Sequence, residues 1–252
     1  MLDQPDGERK VHLQPTPRTG GIGIAAGFFA PLAGLLFYQN VFALELKQSG
    51  ARITAFFGGA LAILALGVWD DLRGLNAWWK LSVQLLVGAL LWQAGLRFEE
   101  ISAFGQVYSF GMASLPLTML WVAGCINAFN LIDGLDGLAA GVGIFSAIAL
   151  FGNALMDGNV LLVLFASALG GALLGFLAYN FSPALIFMGD SGSMTIGYVF
   201  ASAALWSYAK RSTALALLLP VLAMAVPLGD TVFAFARRLL SGRSPFSSDR
   251  KH

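Results

Sequence analysis

Six aspartates, Asp70, Asp71, Asp133, Asp136, Asp190 and Asp230, stand at the edges of long apolar runs in this chain of 252 residues. An Asp at the centre of a membrane helix costs about 2.5–3.5 kcal/mol, so each of the six needs a chemical task or a wet address. The densest group lies in NAFNLIDGLDGLAA, Asn127 to Ala140, between the apolar runs Met112–Phe129 and Leu138–Leu155. Asn127, Asn130, Asp133 and Asp136 recur every third residue. On one continuous helix, at about 100° per residue, they would fan over roughly half the circumference and form no stripe. A helix end opening into a tight, glycine-bearing loop fits them better. Simple capping by Asp133 and Asp136 is the plainer alternative.

Asp70 and Asp71 follow the apolar run that ends at Trp69, which places both at a helix C-terminus. The helix dipole disfavours a negative charge there by about 0.3–1 kcal/mol each, so capping of their own helix does not explain them. Adjacent carboxylates also repel, by about 3 kcal/mol at 5 Å and an effective dielectric of 20. A divalent cation, a shared proton, or Arg73 and Lys80 must offset that. Lys80 itself stands at the mouth of the next apolar run, where it either snorkels or binds phosphate. Asp190 lies in NFSPALIFMGDSGSMTIG, just before another run. It reads as an N-cap, yet Gly189, Ser191, Gly192 and Ser193 leave backbone N–H groups open at a helix N-terminus, where phosphates bind. A carboxylate and a phosphate at one place repel unless a cation such as Mg²⁺ joins them.

The elements that position these residues follow from composition. The chain is 57% hydrophobic and 12% charged, with a mean hydropathy of +0.73, against about 25% charged residues in a typical soluble protein. This predicts an all-α, polytopic membrane bundle forming a single domain over 1–252, with a cytoplasmic leader (1–19), a transmembrane bundle (20–230) and a cytoplasmic arm (231–252). Spans of roughly 20 residues are expected at Gly21–Val41, Ile53–Trp69, Trp78–Leu96, Met112–Phe129, Leu138–Leu155, Val160–Tyr179, Gly192–Tyr208 and Thr213–Leu228, eight in all. Phe98–Gly111 alternates apolar and polar residues and predicts a short hairpin outside the bilayer.

Eight spans put both termini on one side, which carries ten Lys and Arg against five on the other. The excess assigns the termini, and with them all six aspartates, to the cytoplasmic face. The hairpin then falls on the periplasmic side. The lone Cys125 permits neither a disulfide framework nor a zinc cluster. The only histidines, His12 and His252, lie in the two tails, so the string GDSGS belongs to no Ser-His-Asp triad. The net charge of +1 is segregated by loop and masses no face for nucleic acid.

Six blocks together resemble the polyprenyl-phosphate N-acetylhexosamine-1-phosphate transferases of glycosyltransferase family 4. They are RKVHLQPTPRTGG (Arg9 to Gly21), WDDLRGLNAWWK (Trp69 to Lys80), NAFNLIDGLDGLA (Asn127 to Ala139), NFSPALIFMGDSGS (Asn180 to Ser193), PLGDT (Pro227 to Thr231) and GRSPFSSDRKH (Gly242 to His252). PRTGG and SPFSSDR are similar to the undecaprenyl-phosphate N-acetylglucosaminyl branch. The resemblance implies transfer of N-acetylhexosamine 1-phosphate from a UDP-sugar to polyprenyl phosphate, with release of UMP. This would be the first step of lipid-linked surface glycan assembly at the bacterial inner membrane.

It further implies Mg²⁺, with Mn²⁺ as the substitute, held by Asp190. Asp70, Asp71, Asp133 and Asp136 would be catalytic, Asp70 by binding or deprotonating the lipid phosphate. Lys80, Asn127, Asn130 and Asn180 would bind substrate, as would Arg243, Asp249, Arg250 and His252 of the arm. The implied partners are the UDP-N-acetylhexosamine, polyprenyl phosphate, the lipid bilayer and a second copy of the chain as a homodimer.

Two departures accompany the match. The family carries one span before the first block, and His-x-His-His with two further spans after the last. The 252 residues thus resemble the middle of a family member, and weak or no activity is expected of them alone. A scaffold that binds lipid phosphate is the alternative reading. A cation-coupled transporter is a weaker one, because its acids would lie near the midplane and its repeats would be visible.

Overall fold

The structure is a computed structural model that describes residues 2–3, 16–38, 41–103 and 106–211. Strand β1 (Leu2–Asp3) pairs antiparallel with β2 (Thr16–Pro17), and helix α1 (Gly20–Leu35) follows. Next come α2 (Val41–Gln48), α3 (Gly50–Arg73), α4 (Ala77–Gln93) and the hairpin β3 (Glu100–Ala103) with β4 (Gln106–Ser109). The chain continues as α5 (Ser114–Ile132), α6 (Leu138–Met156), α7 (Val160–Asn180) and α8 (Gly189–Arg211). Seven of the eight expected spans therefore fall on helices, and the eighth, Thr213–Leu228, lies outside the described residues.

By length and composition, four described helices can cross a membrane: Gly50–Arg73, Gly111–Ile132, Leu138–Met156 and Val160–Asn180. Gly20–Leu35 is apolar but shorter. The first expected span, Gly21–Val41, is thus cut back. Leu36, Phe37 and Tyr38 turn their N–H groups onto Ala33, Gly34 and Leu35, the tightened geometry of a helix end, and a separate α2 follows. The hairpin sits where the alternation places it, in the register Glu100 opposite Ser109 and Ile101 opposite Tyr108.

Helix ends follow local chemistry. Asn76 caps α4 by accepting the Trp78 N–H at 3.0 Å, and Asn159 caps α7 through the Leu162 N–H at 3.4 Å. At the end of α3 the Gly74 N–H bonds Asp70 O at 2.8 Å with φ at +67°, a backbone that L side chains rarely adopt.

The centre of the bundle is α8, in which every residue from Ser191 to Tyr208 is buried. It packs against α1, α3 and α5. This is a hydroxyl-rich helix, and burial of three of its hydroxyls is tolerable because they bond the helix's own backbone. Ser193 donates to Gly189 O at 3.1 Å, Thr195 to Ser191 O at 2.6 Å and Ser202 to Tyr198 O at 2.7 Å. Tyr198 crosses to α3 and donates to Phe56 O at 2.8 Å. Phe56 in turn stacks on Phe165 at 4.5 Å between centroids, while Phe28 and Trp206 meet it edge-on. That cluster ties α1, α3, α7 and α8 together in the half away from the aspartates.

Near the aspartates the packing is backbone to backbone. A Cβ on Gly67 of α3 would stand 2.5 Å from Ser191 Cα and 2.7 Å from Asp190 O, so only glycine lets α3 approach α8 this closely. Gly67→Ala should lower the thermal midpoint, by roughly 1–3 kcal/mol of overpacking strain. Gly58→Ala, on the same helix with nothing within 4 Å of its Cβ, should leave it unchanged or slightly raised. Thermal unfolding in detergent reads both. Equal effects at the two positions would contradict the close approach.

Candidate active site

Six helix ends meet at one end of the bundle. The C-termini of α3, α5 and α7 bring Asp70 and Asp71, Asn130 and Asp133, and Asn180. The N-termini of α4, α6 and α8 bring Lys80, the Asp136 loop and Asp190. The N-terminus of α1 closes the group, because the Gly20 and Gly21 N–H groups bond Phe187 O at 3.1 Å and Met188 O at 2.9 Å.

The adjacent pair Asp70 and Asp71 divides its labour. Successive helical residues point about 100° apart, and the two carboxylates face different partners. Asp71 accepts the N–H of Asp190 at 2.8 Å and of Ser191 at 3.0 Å, one on each oxygen. It caps α8 from a different helix, where the N-terminal dipole favours a negative charge. Gly189, at φ +70°, permits this, because a Cβ there would stand 2.8 Å from both Asp71 oxygens. Capping does therefore explain one member of the pair, through α8 and not through its own helix. Asp190 is the residue whose N–H is capped.

Asp70 takes different partners. Its carboxylate takes the Leu75 N–H and, at 2.8 Å, the ammonium of Lys80. The same ammonium lies 2.9 Å from Asp190 Oδ2, so one cation bridges two carboxylates carried by α3 and α8. Lys80, and not Arg73, offsets the charge of Asp70. The Lys80, Asp70 and Asp190 side chains are 22%, 10% and 29% exposed, so water and ligands reach them. Asn130 lies against Asp190 and donates to Ser193 Oγ at 3.0 Å.

Asp133 ends α5 half-buried, beside these charges. Burial pushes its carboxyl up to about 8, the negative charges of Asp190 and Asp71 add to the rise, and Arg18 opposes it. The group is therefore largely protonated near neutrality.

The remaining expected residues sit around this centre. Asn127 donates to Gln84 Oε1 at 2.6 Å and to Ala123 O at 2.7 Å. Asn180 is buried and uses both ends of its amide, accepting the Gly137 N–H at 2.9 Å and donating to Ile186 O at 2.9 Å. It braces the start of α6 against the segment that leads into α8. Asp136 is exposed and accepts the Ala184 N–H at 3.0 Å. Asp230, Arg243, Asp249, Arg250 and His252 lie outside the described residues.

The sequence of glycosyl transferase family 4 matches residues 53–208, the stretch that carries every one of these described side chains except Arg18. The chain belongs to glycosyl transferase family 4. Over its whole length it is 37% identical to a probable undecaprenyl-phosphate N-acetylglucosaminyl 1-phosphate transferase of Bacillus subtilis (strain 168), of which it covers 68%. It is 36% identical to a decaprenyl-phosphate N-acetylglucosaminephosphotransferase of Mycolicibacterium smegmatis, with 97% of this chain and 66% of the relative aligned. Against an undecaprenyl-phosphate alpha-N-acetylglucosaminyl 1-phosphate transferase of Escherichia coli (strain K12) the identity is 30%, over all of this chain and 67% of the relative. The chain spans about two thirds of the length of these relatives.

In this family 4 chain two site residues escape a reading of the sequence. Gln84 is buried, one helical turn beyond Lys80 on the same face of α4, and it holds Asn127. The i, i+4 spacing of two polar residues in an apolar run was the available signal. Gly67 carries no polar signal at all.

Asp133 gives a test of the electrostatics. Its folded carboxyl titrates near 8 and its unfolded one near the ordinary 3.8. Between those values the folded state binds more protons than the unfolded state, so stability falls as pH rises through the window and levels off above it. With a chelator present, the thermal midpoint should fall from about pH 4 to about pH 8. Asp133→Asn should flatten that fall. A profile that the substitution leaves unchanged would place the titration elsewhere.

Proposed function

We propose that this chain carries the transferase centre that moves N-acetylglucosamine 1-phosphate from its UDP-linked form to polyprenyl phosphate, releasing UMP, at the cytoplasmic face of a bacterial inner membrane. The observation that carries the proposal is the Lys80 ammonium bridging Asp70 and Asp190 at 2.8 and 2.9 Å, at one end of an apolar bundle. The relatives' names supply the sugar and the lipid phosphate.

The chemistry suits such a centre. An oxygen of the lipid phosphate attacks the β-phosphorus of the donor, and the bond from that phosphorus to the bridging oxygen breaks. The electron pair leaves with UMP. A phosphate monoester, with a second pKa of about 6, is already ionised at neutral pH, so no strong base is required. The need is for positioning and for neutralisation of several negative charges.

Asp70 and Asp190 offer hard oxygen ligands, and among the described residues no three His, Cys, Asp or Glu side chains converge on one point. That donor set suits Mg²⁺, which is commonly held by one or two carboxylates with substrate phosphates completing the shell. Asp190 would hold the ion, with Asp70 beside it. When bound, it would supply a Lewis acid that neutralises the donor diphosphate. Lys80 then offers a second positive charge to phosphate, and Asn130 orients Asp190.

The membrane setting supports the lipid side of the reading. Trp69, Trp78 and Trp79 are exposed around the site end, as aromatic residues are at a membrane surface. An apolar groove of about 760 Å³ runs between α1 and α7 from Thr19 and Gly20 at that end past Gly27 and Gly171 to Leu35. With Thr213–Leu228 as an eighth span, the hairpin would face the periplasm and both termini the cytoplasm. A homodimer and the arm residues Arg243, Asp249, Arg250 and His252 as sugar-nucleotide contacts complete the proposal.

Binding of UDP-N-acetylglucosamine with and without Mg²⁺, followed by UMP release on adding polyprenyl phosphate, tests the reading. Binding should require Mg²⁺, and Asp190→Asn should weaken it by tenfold or more and cut any release by about 10²-fold. Nucleotide binding that ignores both Mg²⁺ and the substitution would refute it.

A further inference from the structure

We propose that Lys80 is a built-in placeholder for the divalent cation, occupying the seat between Asp70 and Asp190 and surrendering it when the cation arrives. The inference rests on the proposed divalent-cation site, and goes beyond it in assigning a competitor from the chain itself.

The geometry is that of a cation seat already filled. The Lys80 ammonium comes from α4, yet its two contacts are Asp70 Oδ2 of α3 at 2.8 Å and Asp190 Oδ2 of α8 at 2.9 Å. The Asp70 and Asp190 carboxyl groups also lie against one another. Two carboxylates drawn together this way repel unless a positive charge or a shared proton stands between them, and here the ammonium contacts both. A dication with oxygen ligands needs the same oxygens, at about 2.0–2.1 Å for Mg²⁺. An ammonium and a dication cannot share that space, because they repel and because each fills it.

The neighbouring carboxylate cannot take over either role. Asp71 has both oxygens on the Asp190 and Ser191 N–H groups, and removing it would strip the cap from α8. The exchange therefore concerns Asp70, Asp190 and Lys80, with Asp71 taking no part. Lysine suits the part: it is a compact charge on a flexible four-carbon stem, rooted in the first turn of α4 and partly open to solvent. On release it needs only to swing toward the mouth, where a donor phosphate is its natural next partner.

Two properties follow. Without metal Asp70 and Asp190 are each paired with Lys80. With metal the displaced ammonium is freed for an anion, so cation and phosphate arrival become linked. The cost is weaker binding of the bare metal, since the ion must first evict Lys80.

The test uses Mn²⁺ alone, followed by electron paramagnetic resonance on the purified chain in detergent. Lys80→Met and Lys80→Gln should each bind Mn²⁺ about tenfold more tightly than the unsubstituted chain, because no ammonium competes. Lys80→Arg, which keeps a bridging charge, should bind no more tightly than the unsubstituted chain. On the unsubstituted chain, which needs no variant to fold, acetylation of the Lys80 amine read by mass spectrometry should rise as Mg²⁺ is added. Mn²⁺ binding that needs Asp190 yet is equal or weaker in Lys80→Met and Lys80→Gln, with Lys80 reactivity unmoved by Mg²⁺, would overturn the placeholder and leave the cation site standing. Absence of Mn²⁺ binding in every form would overturn both.

Discussion

One carboxylate sets the geometry of the whole centre. Asp71 accepts two backbone N–H groups from the first turn of α8, joining the C-terminus of α3 to the N-terminus of the central helix. A helix N-terminus carries about half a positive charge and unsatisfied donors, and a carboxylate aimed at it satisfies both at once. Gly189 and Gly67 make the approach possible, since a Cβ at either would collide with the opposite helix. Once α3 and α8 are fixed this way, Asp70 stands about 100° round α3 from Asp71. It meets Asp190 there across the ammonium of Lys80. The adjacent pair is thus one group spent on the helix cap and one that meets Lys80 and Asp190, and the second depends on the first.

The same constraint explains why the central helix is polar. α8 is buried from Ser191 to Tyr208, where an aliphatic helix would pack at greater distance. Ser193, Thr195 and Ser202 return their hydroxyls to their own backbone, so small polar residues cost little and let neighbours come close. The aromatic cluster of Phe28, Phe56, Phe165 and Trp206 then closes the half away from the site. Rigid apolar packing at one end leaves the charged groups at the other end in a half-open, partly hydrated setting. Asp133 can sit protonated there beside three charged neighbours.

Much of this was legible in the sequence because membrane helices announce themselves. Seven apolar runs became helices, and the Asn127–Ala140 stretch became a helix end, a loop and a helix start, as its three-residue spacing requires. The gathering of Asp70, Asp71, Asp133 and Asp190 at one face followed from counting alternate loops. The division of labour between Asp70 and Asp71 was not legible, because it depends on which helix lies opposite, a tertiary fact with no local signal. For the same reason Asp190 read as a cap when it is itself capped, and nothing local showed that the Asn180 amide bonds Gly137 and Ile186. The early end of α1 was hidden because its apolar run continues past the turn at Leu36–Tyr38. Gly67 left no trace, since a glycine in an apolar run looks the same whether it faces lipid or a helix.

The measurement that bears most directly on this account is the thermal midpoint of Asp71→Ala in detergent, with a chelator present so that no bound cation contributes. If Asp71 holds α8 against α3, the substitution strips two N–H groups of their acceptor and should cost roughly 2–4 kcal/mol, visible as a drop of several degrees. An unchanged midpoint would mean that the cap carries no weight in the fold, and that the geometry of Asp70, Lys80 and Asp190 is set by something else.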